Sequence, residues 1–286
     1  MYHIISFPWS LCFKKLLFFA TFLNLLLFSS TTFSSEWTAV FEEEDIKVWE
    51  KVIKGSSVVA FRGEMTSDSN IHELFTVLYD ADHKKDFLQN VIEFRSLQII
   101  NPYEGLSYIK LGNNIPFIDN RDVILQSKIE TLPLEKKIVV LFNNSLIKLV
   151  PEQEDAVRIP KLKGHWTFQA ISLNKTKVFY EVESDPGGLI PKWLVNLANK
   201  RLPFNTLKKL RDLSKKKELF QETATTIKYF FDFKPFLGDK HPASLRTKEE
   251  AITIQSKIRM AFKTACEAGN KEACSPSKNF TLEYLK

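Results

Sequence analysis

Arg121 and Asp122 stand side by side at the head of an alternating run, Arg121 to Glu130. Opposite charges so placed can work as an acid–base pair on a substrate, or they can lock two stretches of backbone together. The expectation here is the second: a structural salt link or loop anchor. Asp185 could serve as a base, but it precedes Pro186-Gly187-Gly188, where its side chain suits a turn. The histidines are His3, His72, His83, His165 and His241, and none has the i, i+4 spacing of a zinc-binding helix. No G-x-S-x-G or Walker pattern occurs. Cys266 and Cys274 have no histidine near them, so no metal and no cofactor are expected. The pair is read as a disulfide closing a short hairpin around Gly269-Asn270, with two free thiols as the alternative. No catalytic set emerges, and the chain is expected not to be an enzyme.

The elements around these residues are legible from periodicity. Ile46 to Val52 alternates, and Val58 to Met65 follows a Gly-Ser turn, which reads as an entry strand pair. Asn70 is a good N-cap with Glu73 three residues on, ahead of an apolar stripe of Ile71, Leu74, Phe75 and Leu78. That helix should end near Asp80, before a polar segment from Asp82 to Asp86. Strands are expected at Val91–Ile100, Leu106–Leu111, Arg121–Glu130, Lys137–Phe142, Lys161–Ile171 and Lys177–Glu183. The connection from Asn143 to Arg158 is long, carries Leu146-Ile147-Lys148-Leu149-Val150, and is a candidate lid. After Pro186-Gly187-Gly188 a long helix should run from Ile190 to about Leu219, kinked or split by Pro203. Its stripe is Ile190, Leu194, Leu197, Phe204, Leu207 and Leu210. Runs of strands with helices at the ends argue for an α+β fold, helices packed on one face of a curved antiparallel sheet.

The N-terminus reads differently. Lys14-Lys15 precede 13 mostly apolar residues, Leu16 to Phe28, and then small residues to Ser35. This is the order of a secretory signal, cut after Ser34 or Ser35. Its apolar part is short of the roughly 20 residues a membrane anchor needs. The expected organisation is therefore a signal peptide over 1–35, a main domain over 36–219 and a partly helical C-terminal extension over 220–286. Removing 1–35 takes away two lysines and no acid, leaving about +4 of the formal +6. That is too weak for a nucleic-acid partner, and no nucleic acid is expected. A mild excess favours transient contact with an anionic membrane surface. Nine glycines leave little room for phosphate loops, while 24 phenylalanines suit a large core or an apolar cavity.

Two motifs carry a resemblance. Pro116-Phe117-Ile118-Asp119-Asn120-Arg121-Asp122-Val123 looks like one family's proline-containing approach to an Arg-Asp strand. Asp185-Pro186-Gly187-Gly188, running on to Pro191-Lys192-Trp193-Leu194-Val195-Asn196 and followed by Thr206 to Arg211, is similar to its entry into the last helix. Over roughly residues 40–217 the chain resembles the START family of lipid transfer domains, part of the wider helix-grip (Bet v 1-like) superfamily. The resemblance implies a curved sheet gripping a long C-terminal helix, one apolar ligand held between them, and a protein that binds or transfers lipid. Some sterol-binding members carry a buried acid–arginine pair. Ser127 stands six residues after Arg121, which argues against a sterol here. An enzyme of the same superfamily, acting on an apolar substrate in that cavity, is the alternative.

By strand alternation the cavity wall is expected from Val123, Leu125, Ser127, Ile129, Trp166, Phe168, Val178, Tyr180 and Val182, with Trp193, Leu194 and Leu197 from the helix. Any one of them would serve equally well as core. Arg121, Asp122, Asp185, Pro186, Gly187 and Gly188 are expected to be structural. The partner is a lipid or other hydrophobic small molecule, the state a monomer, and the location secreted or periplasmic.

Overall fold

The computed structural model describes residues 37–53, 59–112, 118–147, 149–190 and 200–237. The expected leader, the Cys266–Cys274 pair and the helix positions Trp193, Leu194 and Leu197 lie outside the described residues. Ten strands form one sheet: β1 (Thr38–Glu43), β2 (Ile46–Val52), β3 (Val59–Ser67), β4 (Val91–Asn101), β5 (Glu104–Leu111), β6 (Asn120–Leu132), β7 (Lys137–Asn144), β8 (Ala156–Arg158), β9 (Lys161–Ser172) and β10 (Lys175–Asp185). The order is β1-β2-β3-β10-β9-β7-β6-β5-β4, antiparallel throughout. The exception is β8, which lies off this path and pairs parallel with the first residues of β6.

Alternation decides which face each residue takes. In β10, Val178, Tyr180 and Val182 are buried inward. Glu181 faces out, where it meets Arg62 and His165 across the neighbouring strands. The sheet closes over α1 (Ile71–Tyr79), whose capping box forms as the sequence predicts: Glu73 N donates to Asn70 Oδ1 at 2.9 Å, and Asn70 N donates to Glu73 Oε2 at 3.0 Å. The polar segment after Asp80 folds into a single turn, α2 (Lys84–Phe87). The described part of the long helix is α3 (Leu202–Ser214), with Pro203 in its first turn, where a missing N–H costs nothing. The helix stops five residues short of Leu219, and a 3₁₀ turn (Lys217–Phe220) leads into α4 (Gln221–Phe230) and α5 (Lys234–Leu237).

Two expectations change. The connection from Asn143 to Arg158 contains β8, and it folds onto the outer face of the sheet. There Val150 buries against Tyr108 and Ile124, so the segment is no lid over the inner face. Residues from 220 to 236 are also no separate appendage. Phe220, Ile227, Phe230, Phe231, Phe233 and Phe236 are buried in the same core cluster as Phe75 and Phe168. Phe231 sits edge-on to Phe75 at 5.1 Å, to Tyr79 at 5.6 Å and to Tyr103 at 4.9 Å. The polar threonines ahead of this aromatic run hid its burial in the sequence.

Candidate functional site: an apolar cavity under the sheet

The inner face of the sheet and the helices do not meet everywhere. They leave a cavity of about 780 Å³, within the range of small-molecule sites. The strands supply Phe94, Ile109, Leu125, Ile129, Val140, Phe142, Trp166, Tyr180 and Val182 to its wall, and the helices supply Phe75, Leu78, Tyr79, Leu202 and Thr206. Trp166 lies flat on Tyr180, with ring centroids 4.1 Å apart and planes 17° off parallel, so the two form one rigid apolar panel. Burial pushes the Tyr180 phenol well above its ordinary range, which keeps it a protonated hydroxyl rather than a base.

Gly164 explains how Phe142 reaches the cavity. A Cβ at Gly164 would lie 2.1 Å from the Glu181 carbonyl oxygen and 2.5 Å from Phe142 Cζ. The bare backbone there lets the phenyl ring lie against β9.

Of the wall residues expected from alternation, Leu125, Ser127, Ile129, Trp166, Tyr180 and Val182 line the cavity. Val123, Phe168 and Val178 do not. They point to the correct face, but other side chains cover them. Val123 packs with Val91, Ile109 and Ile159. Phe168 meets Phe75 edge-on at 6.2 Å. Val178 lies across from Met65 and Phe168 within the main core. Phe142 was open to discovery, since it shares a face with Val140. Lys84 carried no sequence signal beyond its polar neighbours. The C-terminal lining, Thr223, Thr226 and Phe230, was missed because the segment reads as a Thr-rich and Phe-rich linker.

The exposed lining residues gather in two segments, Ala81–Asp82 after α1 and Glu218 to Glu222 ahead of and within α4, which marks the cavity mouth among the described residues. Asp80 organises this rim. Its Oδ1 accepts from the His83 backbone N–H at 2.8 Å and lies 2.9 Å from His83 Nδ1, while Oδ2 accepts from the Thr223 hydroxyl at 2.6 Å. Burial raises the Asp82 carboxyl above its ordinary value, and the acids Asp80 and Glu222 add to the shift. Lys84 also lines the cavity, half-buried, with its ammonium 5.9 Å from the ring centres of both Phe87 and Phe94. It donates to the Leu78 carbonyl. Burial among these rings pulls its pKa down to about 8, against the pull of Asp80. The cavity therefore combines an apolar wall with a cation at its polar rim.

The Arg-Asp motif lies outside the cavity. Asp122 is fully buried and accepts two bonds from the Arg158 guanidinium, at 2.6 and 3.0 Å, plus the Tyr108 hydroxyl at 3.1 Å, while Arg158 Nη2 also donates to the Val150 and Pro151 carbonyls. Burial and the Asp122 charge push the Tyr108 phenol up to about 12. Arg121 donates to the carbonyls of Asp119, Pro186 and Gly187. Gly187 and Gly188 have φ of +65° and +70°, and a Cβ on Gly188 would sit 3.0 Å from Arg121 Nη2. Asp185 Oδ1 accepts from Gly187 N at 3.0 Å. The pair thus pins the turn that leads out of β10 and the strand β8, which is positioning rather than chemistry.

A family model described as START domain matches residues 30–218. An uncharacterized protein of Pseudomonas aeruginosa is 27% identical over 184 residues, covering 64% of this chain and 89% of that one. The phosphatidylcholine transfer protein of Rattus norvegicus is 24% identical, covering 58% of this chain and 78% of its own. Among solved structures, a STAR-related lipid transfer protein fragment from Xanthomonas axonopodis superposes with a TM-score of 0.57 at 29% identity, over 63% of this chain and 98% of that one. Human STARD10 superposes with a TM-score of 0.59 over 86% of this chain and 94% of its own, at 19% identity, a likeness of fold.

Proposed function

The chain belongs to the START domain family, and on that premise we propose that it binds one lipid-like amphiphile in the cavity and carries it between membranes. The observation that supports this most directly is the 780 Å³ space walled mainly by aromatic and aliphatic side chains, with Asp80, Asp82, Lys84 and Glu222 at its rim. Each methylene of a tail moved from water into such a space gains about 0.8 kcal/mol. A tail leaving a bilayer gains almost none of this, because both environments are apolar. Exchange between membrane and cavity is then close to balanced, as a carrier requires, and the head group decides which lipid is kept.

Lys84 is the head-group anchor in this reading. Its carboxylate neighbour Asp80 already serves His83 and Thr223, so the ammonium is available to an anionic group such as a phosphodiester. The Asp80 carboxylate of the same rim is already engaged by the His83 backbone N–H and ring and by the Thr223 hydroxyl, which favours a carrier over an enzyme. A relative named phosphatidylcholine transfer protein supports the class of cargo. The leader-like residues 14–35 support an extracytoplasmic, secreted or periplasmic, site of action. The protein would act as a monomer that touches the membrane surface only during exchange.

Native mass spectrometry of freshly purified protein tests this, with chemical identification of what it releases. The expected result is one bound lipid per chain, recovered unaltered, and transfer of a fluorescent phospholipid between vesicle populations. Protein that neither retains nor moves lipid would defeat the carrier reading, and recovery of a converted lipid would favour the enzyme.

A further inference from the structure

The family match ends at residue 218, yet the cavity wall continues past it. Leu219, Gln221, Glu222, Thr223, Thr226 and Phe230 all line the space. Besides the His72 ring against the Ala224 carbonyl, two hydrogen bonds to lining residues hold α4 across it. The Thr223 hydroxyl donates to buried Asp80, at the end of α1, at 2.6 Å. The Tyr103 hydroxyl, in the turn between β4 and β5, donates to the Phe230 carbonyl at 2.6 Å. These two ties are seven residues apart, about 10 Å along a helix axis. The helix therefore spans from the end of α1 to the β4–β5 turn, with Ile227 in the core and Phe231 wedged among Phe75, Tyr79 and Tyr103. A helix tied at two points and wedged by an aromatic plug is a fixed wall.

We propose that α4, outside the matched START domain, sets the specificity of the cavity: the bulk that Thr226 and Phe230 present decides how long an acyl tail it accepts. The inference rests on the carrier reading and adds to it which lipids are excluded. A tail that must leave a methylene outside the cavity loses the burial of that group, about fourfold in affinity for each. Thr226 is half-buried and faces the void, so a larger side chain there meets empty space before it meets protein. Thr225 is the neighbour that faces solvent, its hydroxyl donating to the Gln221 carbonyl, and it supplies the control.

The experiment compares the tails of phospholipid retained by wild type, Thr226→Trp, Thr225→Trp and Phe230→Leu after equilibration with vesicles of mixed-length phosphatidylglycerol. Thr226→Trp should shift the bound population to shorter tails, with the longest falling about fifteenfold relative to the shortest, roughly the value of two methylenes. Phe230→Leu should shift it to longer tails, and Thr225→Trp should leave it as in wild type. Thermal melting checks that each variant folds, and Phe230→Leu answers the question should Thr226→Trp fail to. Wild type carrying lipid beside variants with unchanged tails overturns this inference alone, as does an equal shift in Thr225→Trp. Wild type that takes up no lipid overturns the carrier reading and this inference with it.

Discussion

Lys84 ties the affinity of the cavity to pH in a way that can be worked out beforehand. In the unliganded protein its ammonium loses its proton near pH 8, against an ordinary value of 10.5, because burial beside Phe87 and Phe94 disfavours the charge. A bound phosphodiester restores the opposite charge and draws the pKa back up. Binding below pH 8 then requires no proton, and binding above it must take one from solvent. Affinity should be flat up to about pH 7.5, then fall to about a tenth at pH 9 and about a hundredth at pH 10, one decade per unit. Unliganded stability moves the other way. Between about 8 and 10.5 the unfolded chain holds a proton on this side chain that the folded chain has released, so stability rises with pH across that window. The assay is titration with a fluorescent phosphatidylglycerol, whose charge is constant from pH 7 to 10, alongside Lys84→Met as the control. Lys84→Met should bind more weakly at pH 7 and lose the steep decline. A wild-type affinity that stays level to pH 10, or a decline of equal steepness in Lys84→Met, would refute the assignment of Lys84 to the head group.

Three further outcomes follow from the packing. Asp122→Ala strands the Arg158 guanidinium and the Tyr108 hydroxyl, and should cost about 3 kcal/mol or more, roughly a 6–12 °C lower Tm by circular dichroism. The double variant with Arg158→Met should recover a good part of that loss, because no buried charge is then left unpaired. Gly164→Ala forces β9 from β10 at the Glu181 carbonyl and should lower the urea midpoint by an amount worth about 2–3 kcal/mol; an unchanged midpoint would show that the strands yield freely. Ser127→Phe should place a ring in the void, leaving Tm unchanged or raised while lipid recovery in native mass spectra falls.

The strands were legible because their period is local. A residue in a half-buried strand must alternate whatever the rest of the chain does, and Val178, Tyr180 and Val182 do so. The α1 capping box was legible for the same reason, since Asn70 and Glu73 satisfy each other within one turn. Alternation also placed Val123, Phe168 and Val178 correctly on the inner face, but it says nothing of what lies opposite. Phe75 meets Phe168, Ile159 packs with Val123 and Val178 lies within the main core beside Met65, whereas Leu125, Ser127 and Ile129 meet open space. The role of Asp122 was half legible. Its neighbour Arg121 is adjacent in sequence, but its true partner Arg158 is 36 residues away and arrives only when β8 pairs with β6.

The amino-acid sequence by itself determined the α+β plan, the strand faces, the first helix with its cap, and the motifs that identify the family, because each is written in contacts a few residues long. Tertiary structure alone decided where the inner face stays hollow, that Lys84 stands at its rim, and that the segment after residue 218 completes its wall. A cavity is the space that several distant segments fail to fill together, and no local pattern records what its neighbours leave empty.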